Sequence, residues 1–145
     1  MEIDIRPLSA EDYEHATSLW ASAEGIRLRD DETLDAFRRF LSHNDGLSLG
    51  AWSAGCLLGA VMVGHDTRRA YLYHFAVAAD RQREGIGRRM AEAVYRRLRN
   101  LGIGKAYLFV FADNAAAMRF WEALGWEHRG DIAIFSNRIR STDGF

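Results

Sequence analysis

The sequence predicts an α/β protein built on a mixed, mostly antiparallel central sheet. Two observations carry that expectation. Apolar segments at 47–52, 57–64 and 70–78 follow one another through short polar turns and read as an antiparallel meander. Helix-patterned segments at 85–100 and 114–124 each come directly after an apolar strand, which implies crossover connections. The expected order is β-α-α-β-β-β-α-β-α-β-β over residues 1–145. One domain is expected, because 145 residues bury a single core.

Each element has a local reason. Ile3 and Ile5 alternate with polar neighbours and stop at Pro7, giving a first strand. Ser9 and Asp12 have capping-box spacing, and Tyr13, Ala16, Leu19 and Trp20 then fall on one helical face. After a break at 25–30, a second helix is expected from about Asp31, with Leu34, Phe37, Phe40 and Leu41 inward. The cluster His43-Asn44-Asp45-Gly46 ends it. Ser53-Ala54-Gly55 and 65–69 separate the meander strands. The third helix turns Ile86, Met90, Val94, Leu98 and Leu101 inward and ends at Gly102 and Gly104. A strand is expected at 105–111, and Gly125 caps the fourth helix. A closing hairpin is expected from 126–129 and 132–139, around Gly130-Asp131.

Composition excludes several classes. Hydrophobic content of 48%, charge of 27% and a net charge of −1 describe an ordinary soluble domain, with no global case for nucleic acid or an anionic membrane. The single cysteine, Cys56, rules out an internal disulfide framework and a multi-cysteine metal site, and its apolar neighbours suggest burial. No metal is expected. No apolar run approaches the roughly 20 residues of a membrane helix. Met1-Glu2-Ile3-Asp4 lacks the basic start of a signal peptide, so a cytoplasmic location is expected.

The most informative stretch is Gln82-Arg83-Glu84-Gly85-Ile86-Gly87, between an apolar strand and a helix. Glycines let the backbone approach a ligand closely, and the N–H groups of a first helical turn point at an anion. The P-loop pattern fails, because no Lys-Ser/Thr follows Gly87. The dinucleotide fingerprint fails too, with Met90 where a third glycine belongs and Lys105 near the position of its acidic residue. A pyrophosphate on a helix N-terminus remains, with Arg81, Arg83 and Arg88 as charge-assisted partners.

Gln82-x-x-Gly85-x-Gly87 resembles the acyl-CoA motif of the GNAT superfamily of N-acetyltransferases. Phe75-Ala76-Val77 before it, Asn114 after the next strand, and Phe120-Trp121-x-x-Leu124-Gly125-Trp126 extend the resemblance over residues 70–127. It implies acetyl-CoA as co-substrate, lying between two parallel strands that splay apart near Val77 and Phe111. Pantetheine amides would pair around Phe75, Ala76 and Val77. The pyrophosphate would rest on Gln82, Arg83, Glu84, Gly85, Ile86 and Gly87, with Arg88 beside it. A backbone N–H near Val77 would act as oxyanion donor, worth roughly 10²–10³ in rate. Asn114 carries over as a pantetheine contact, and it also suits a helix N-cap.

The implied reaction is direct attack of a primary amine, on a small molecule or peptide, at the thioester. A lysine-like amine with pKa near ~10.4 is about 0.1% neutral or less at pH 7, so a proton must be removed first. Many family members carry Tyr as general acid where Trp121 stands, and indole cannot serve. Trp121 is expected to shape the acyl pocket. A thiolate with thiol pKa near ~8.5 leaves without obligatory protonation. Strict alternation puts Tyr71, Tyr73, Phe75 and Val77 on one face, which makes Tyr73 the candidate to bond the amine or a water, with His74 opposite. Trp20, Glu24, Arg29 and Asp66 are the acceptor-pocket candidates. Glu24 and Asp66 suit a cation, Arg29 a carboxylate. The family resemblance also implies that a homodimer is possible. The rival reading, a non-catalytic acyl-CoA-binding module, is motivated by Trp121 and the missing base.

Overall fold

The computed structural model describes residues 2–139, which fall into two units divided between Ala112 and Asp113. The first contains a five-stranded sheet in the order β1-β2-β3-β4-β5. These strands are Asp4–Pro7, Leu49–Ser53, Cys56–His65, Ala70–Val77 and Ala106–Leu108. The first four pair antiparallel in succession, and β5 joins β4 in parallel. The sheet is therefore mixed and mostly antiparallel, as expected.

Helices α1 (Tyr13–Ser22) and α2 (Leu34–His43) cover one face, and α3 (Ile86–Asn100) covers the other. The β3 glycines show why. A Cβ on Gly59 would meet Met90 Sδ of α3 at 2.5 Å, whereas one on Gly64 would meet Phe40 Cζ of α2 at 3.0 Å. Odd and even positions of β3 thus face opposite layers. On the α3 side, Ile86, Met90, Val94 and Leu98 are buried, each worth about 1.5–3 kcal/mol of transfer free energy. On the other side, Ala16, Trp20, Phe37, Ala60 and Ala76 form one cluster.

Turn and cap chemistry sets the boundaries. Ala54 (φ 50) and Gly55 (φ 80) are both left-handed, as a two-residue hairpin turn between Ser53 and Cys56 requires. The Thr33 hydroxyl accepts from Ala36 N at 3.1 Å and starts α2 at Leu34, later than the Asp31 expected. Asn44 is buried and holds the end of α2 to β3, its Oδ1 accepting from His65 N at 3.1 Å.

In the second unit, α4 (Ala115–Ala123) is capped by Asn114, whose Oδ1 accepts from Ala117 N at 3.1 Å. Gly125 (φ 94) closes it: Trp126 N donates to Trp121 O at 3.0 Å and Gly125 N to Glu122 O at 3.0 Å. These two bonds are the Schellman pattern, and its hydrophobic contact is the edge-on pair Trp121–Trp126, with centroids 5.0 Å apart.

Four expectations need correction. The closing hairpin is not formed: residues 126–139 hold no helix or strand, and Ile134 and Phe135 are 70% and 94% exposed. Alternating apolar residues become a strand only where a ladder partner and a buried face exist. The strand expected at 105–111 is only Ala106–Leu108. Leu101 is exposed, because the helix ends at Asn100 and turns Leu101 out as its C-cap. Cys56 is exposed, because it is the first residue after the hairpin turn.

The close approach of α3 to β3 makes Gly59 a sensitive position. Gly59→Val is expected to lower unfolding free energy by about 1–3 kcal/mol through overpacking against Met90 and the Ala76 carbonyl. Urea unfolding with an unchanged midpoint would contradict this.

Candidate active site

The site begins with an irregularity in β4. Ala60 pairs with Ala76, but Met62 pairs with Tyr73, so β4 uses one more residue than β3 over this stretch. The extra residue is absorbed at His74, whose φ of +55 is left-handed. A non-glycine residue there is uncommon, and a β-bulge re-aims the side chains on either side of it.

This corrects the simple alternation. Val77 pairs with Gly59, on the α3 face, while Tyr71 pairs with Gly64 and Tyr73 with Met62, on the α1/α2 face. His74 is not opposite the tyrosines. Its ring lies 5.2 Å from that of Trp20 in α1, and its Nε2 contacts Glu32 Oε1.

The parallel ladder ends at Leu72–Leu108, whereas β4 continues to Val77. Phe75, Ala76 and Val77 thus lie where the two strands have parted company. Gln82 Nε2 reaches back to Val77 O at 3.3 Å, tying the following turn to the strand end. In that turn Arg83 (φ 70) and Gly85 (φ 82) are both left-handed, and Gly85 is the N-cap of α3. The first helical bond runs from Arg89 N to Gly85 O, so the amides of Ile86, Gly87 and Arg88 precede the ladder, as anion binding requires.

The charges agree with this use. No acidic residue lies in the first turn of α3. Glu84, the one acid between Gln82 and Gly87, is held by Arg81 through two bonds of 3.0 Å. The arrangement fits a pyrophosphate.

The acceptor-side candidates separate. A shallow depression of about 450 Å³ brings Tyr73 and Asp66 together with Tyr71, Phe40, His43 and Arg39. Asp66 Oδ1 accepts from Arg69 N at 2.8 Å and Arg68 N at 2.9 Å, and these bonds hold its carboxyl below the usual range. Trp20 is 2% exposed and belongs to the core, with Nε1 lacking a hydrogen-bond partner among the described residues. Glu24 and Arg29 are exposed on the α1–α2 connection, outside the depression. Asn114 and Trp121 belong to the second unit, where one caps α4 and the other anchors its C-terminal cap.

The sequence reading missed Glu32. Its Oε2 accepts from Arg29 N at 2.9 Å, and its carbonyl accepts from the Tyr13 hydroxyl at 2.9 Å. Thr33 was the signal available: as N-cap it leaves Glu32 outside the helix and free to turn toward the sheet.

Burial, and then the neighbouring Tyr71, push the Tyr73 phenol above its ordinary value of 10.0. The folded pKa exceeds the unfolded one, so the stabilisation is complete below pH 10 and is lost as pH rises through the folded value. The tyrosinate absorbance of wild type minus Tyr73→Phe is expected to titrate above pH 10; a lower midpoint would refute the assignment.

Residues 10–126 match the acetyltransferase (GNAT) family. Acetyltransferase SG1711 of Sodalis glossinidius (strain morsitans) is 28% identical over 137 residues, covering 94% of this chain and 96% of the relative. The ribosomal-protein-S18-alanine N-acetyltransferase of Escherichia coli has a TM-score of 0.73 at 25% identity, covering 99% of this chain and 87% of that one. AAC(6')-Iy, in complex with the bisubstrate analogue CoA-S-monomethyl-acetylneamine, shares the fold with a TM-score of 0.75 at 19% identity, over 96% and 100% of the two chains. With strand, bulge, glycine turn and helix in one continuous run, and the family match spanning most of its length, the chain belongs to the GNAT family of acetyltransferases.

Proposed function

We propose that the protein moves the acetyl group of acetyl-CoA to a primary amine of a small molecule or peptide, by direct attack on the thioester. The observation that carries this is the run of β4 beyond its ladder into an amide-lined turn at the head of α3. Along Phe75, Ala76 and Val77 the pantetheine takes the place of a neighbouring strand. The turn from Gln82 to Gly87 holds the pyrophosphate, with Arg83 and Arg88 adding charge. A backbone N–H near Val77 polarises the thioester carbonyl, a contribution of roughly 10²–10³ in rate.

Tyr73 acts as a hydrogen-bond donor at the mouth of the acceptor side. Its phenol keeps its proton at neutral pH, which excludes it as the base. Asp66, ionised and beside Tyr73, suits a cationic acceptor. An α-amino group, with pKa near ~7.7–8.0, gives up its proton far more readily than a lysine side chain. The relative acting on a ribosomal-protein alanine is in keeping with such an acceptor.

Calorimetry with acetyl-CoA tests the reading: binding in the millimolar range or tighter is expected, and none would overturn it. A Cβ at Gly85 meets nothing within 4 Å, so substitutions there act through φ and charge and not through a clash. Gly85→Glu is expected to weaken binding by roughly tenfold or more, whereas Gly85→Asn, which tolerates the left-handed region, keeps it.

A further inference from the structure

We propose that Glu32 and His74 form a proton-accepting pair in which His74 Nδ1 takes the proton of the incoming amine and Glu32 holds the imidazole in the state able to do so. The proposal rests on the transferase reading.

His74 sits at the bulge, next to the strand segment assigned to pantetheine, with its side chain 20% exposed. Its left-handed φ is a strained conformation of the kind that persists where the surroundings over-determine it. The surroundings here are Trp20 on one side of the ring and Glu32 at Nε2.

Glu32 is itself fixed at three points. Its Oε1 faces His74, its Oε2 accepts from Arg29 N, and its carbonyl accepts from Tyr13 Oη. A carboxylate can only accept, so Nε2 must donate to it, and the neutral ring then carries its lone pair on Nδ1. Nδ1 makes no hydrogen bond among the described residues. This is the division of labour of a carboxylate-oriented histidine: one nitrogen anchored, the other open to a substrate proton.

The step balances. The ammonium gives one proton to Nδ1, and the imidazolium is stabilised by Glu32. The amine lone pair forms the C–N bond at the thioester carbon, the C–S bond breaks, and sulfur leaves with its electron pair. The second nitrogen-bound proton goes to the thiolate, and His74 returns its own proton to solvent. Glu32 is a positioning residue, and His74 is the catalytic one. Because Glu32 lies on the α1–α2 connection and His74 on β4, the base is assembled from a loop and the sheet together.

Long-range 1H–15N correlation spectra of histidine-labelled protein, above the pH range where imidazole is protonated, read the tautomer directly. The Nε2–H form is expected for His74, and an Nδ1–H form would overturn the pair. In parallel, thiol release from acetyl-CoA is followed with two amine probes, spermidine and an alanine-headed tripeptide. For an accepted probe, Glu32→Gln is expected to lower kcat by about 10²-fold while KM for acetyl-CoA stays within twofold, with partial recovery in Glu32→Asp. Equal loss of kcat and acetyl-CoA binding, or unchanged kcat, would refute the role. Wild-type protein that binds no acetyl-CoA would instead sink the transferase reading, and the tautomer would still judge the pair.

Discussion

One extra residue in β4 is the constraint on which the proposed site depends. At His74 the chain takes a left-handed step against the regular pairing of β3, and the two sides of that step have different duties. Before it, Tyr71 and Tyr73 present aromatic surface to the depression beside α2; after it, Val77 faces the α3 layer. The parallel neighbour is lost after Leu72, four residues before Ala76. A regular strand would have kept the tyrosines and Val77 on one face and sent His74 to the other. In the proposed site, the bulge therefore turns a pleated surface into a junction between donor and acceptor.

In the proposed reading, the phosphate end works by backbone more than by side chains. Left-handed steps at Arg83 and Gly85 and the opening amides of α3 concentrate N–H dipoles in one place, an arrangement suited to anions. Arginines surround this turn, yet Arg81 is already committed to Glu84. In the proposed site its part is to neutralise an acid that would otherwise oppose an anionic ligand. That division explains how a chain with a net charge of −1 can offer a locally cationic cradle.

Much of this was legible in the sequence, and the rest was not for identifiable reasons. Gly85 and Gly125 stand where left-handed caps are needed, and the pattern Trp121-x-x-Leu124-Gly125-Trp126 spells out a Schellman closure residue by residue. Helix, meander and crossover followed from apolar spacing. The bulge was invisible, because Ala70–Val77 alternates like any strand and the extra residue appears only in the register with β3. Glu32 was hidden by its acidic neighbours Asp30 and Asp31, which resemble a helix start, although Thr33 is the true cap. The C-terminal segment misled in the other direction, since Ile132, Ile134 and Phe135 carry strand-forming residues without a ladder to join.

The exposed thiol at the β2–β3 hairpin has a practical consequence. Cys56 is the single cysteine of the chain, and it lies three residues before Gly59, the partner of Val77. A maleimide dye or spin label would attach at one position without any engineered cysteine. It would report from the start of β3, the strand paired with β4, and outside the depression lined by Tyr71 and Tyr73.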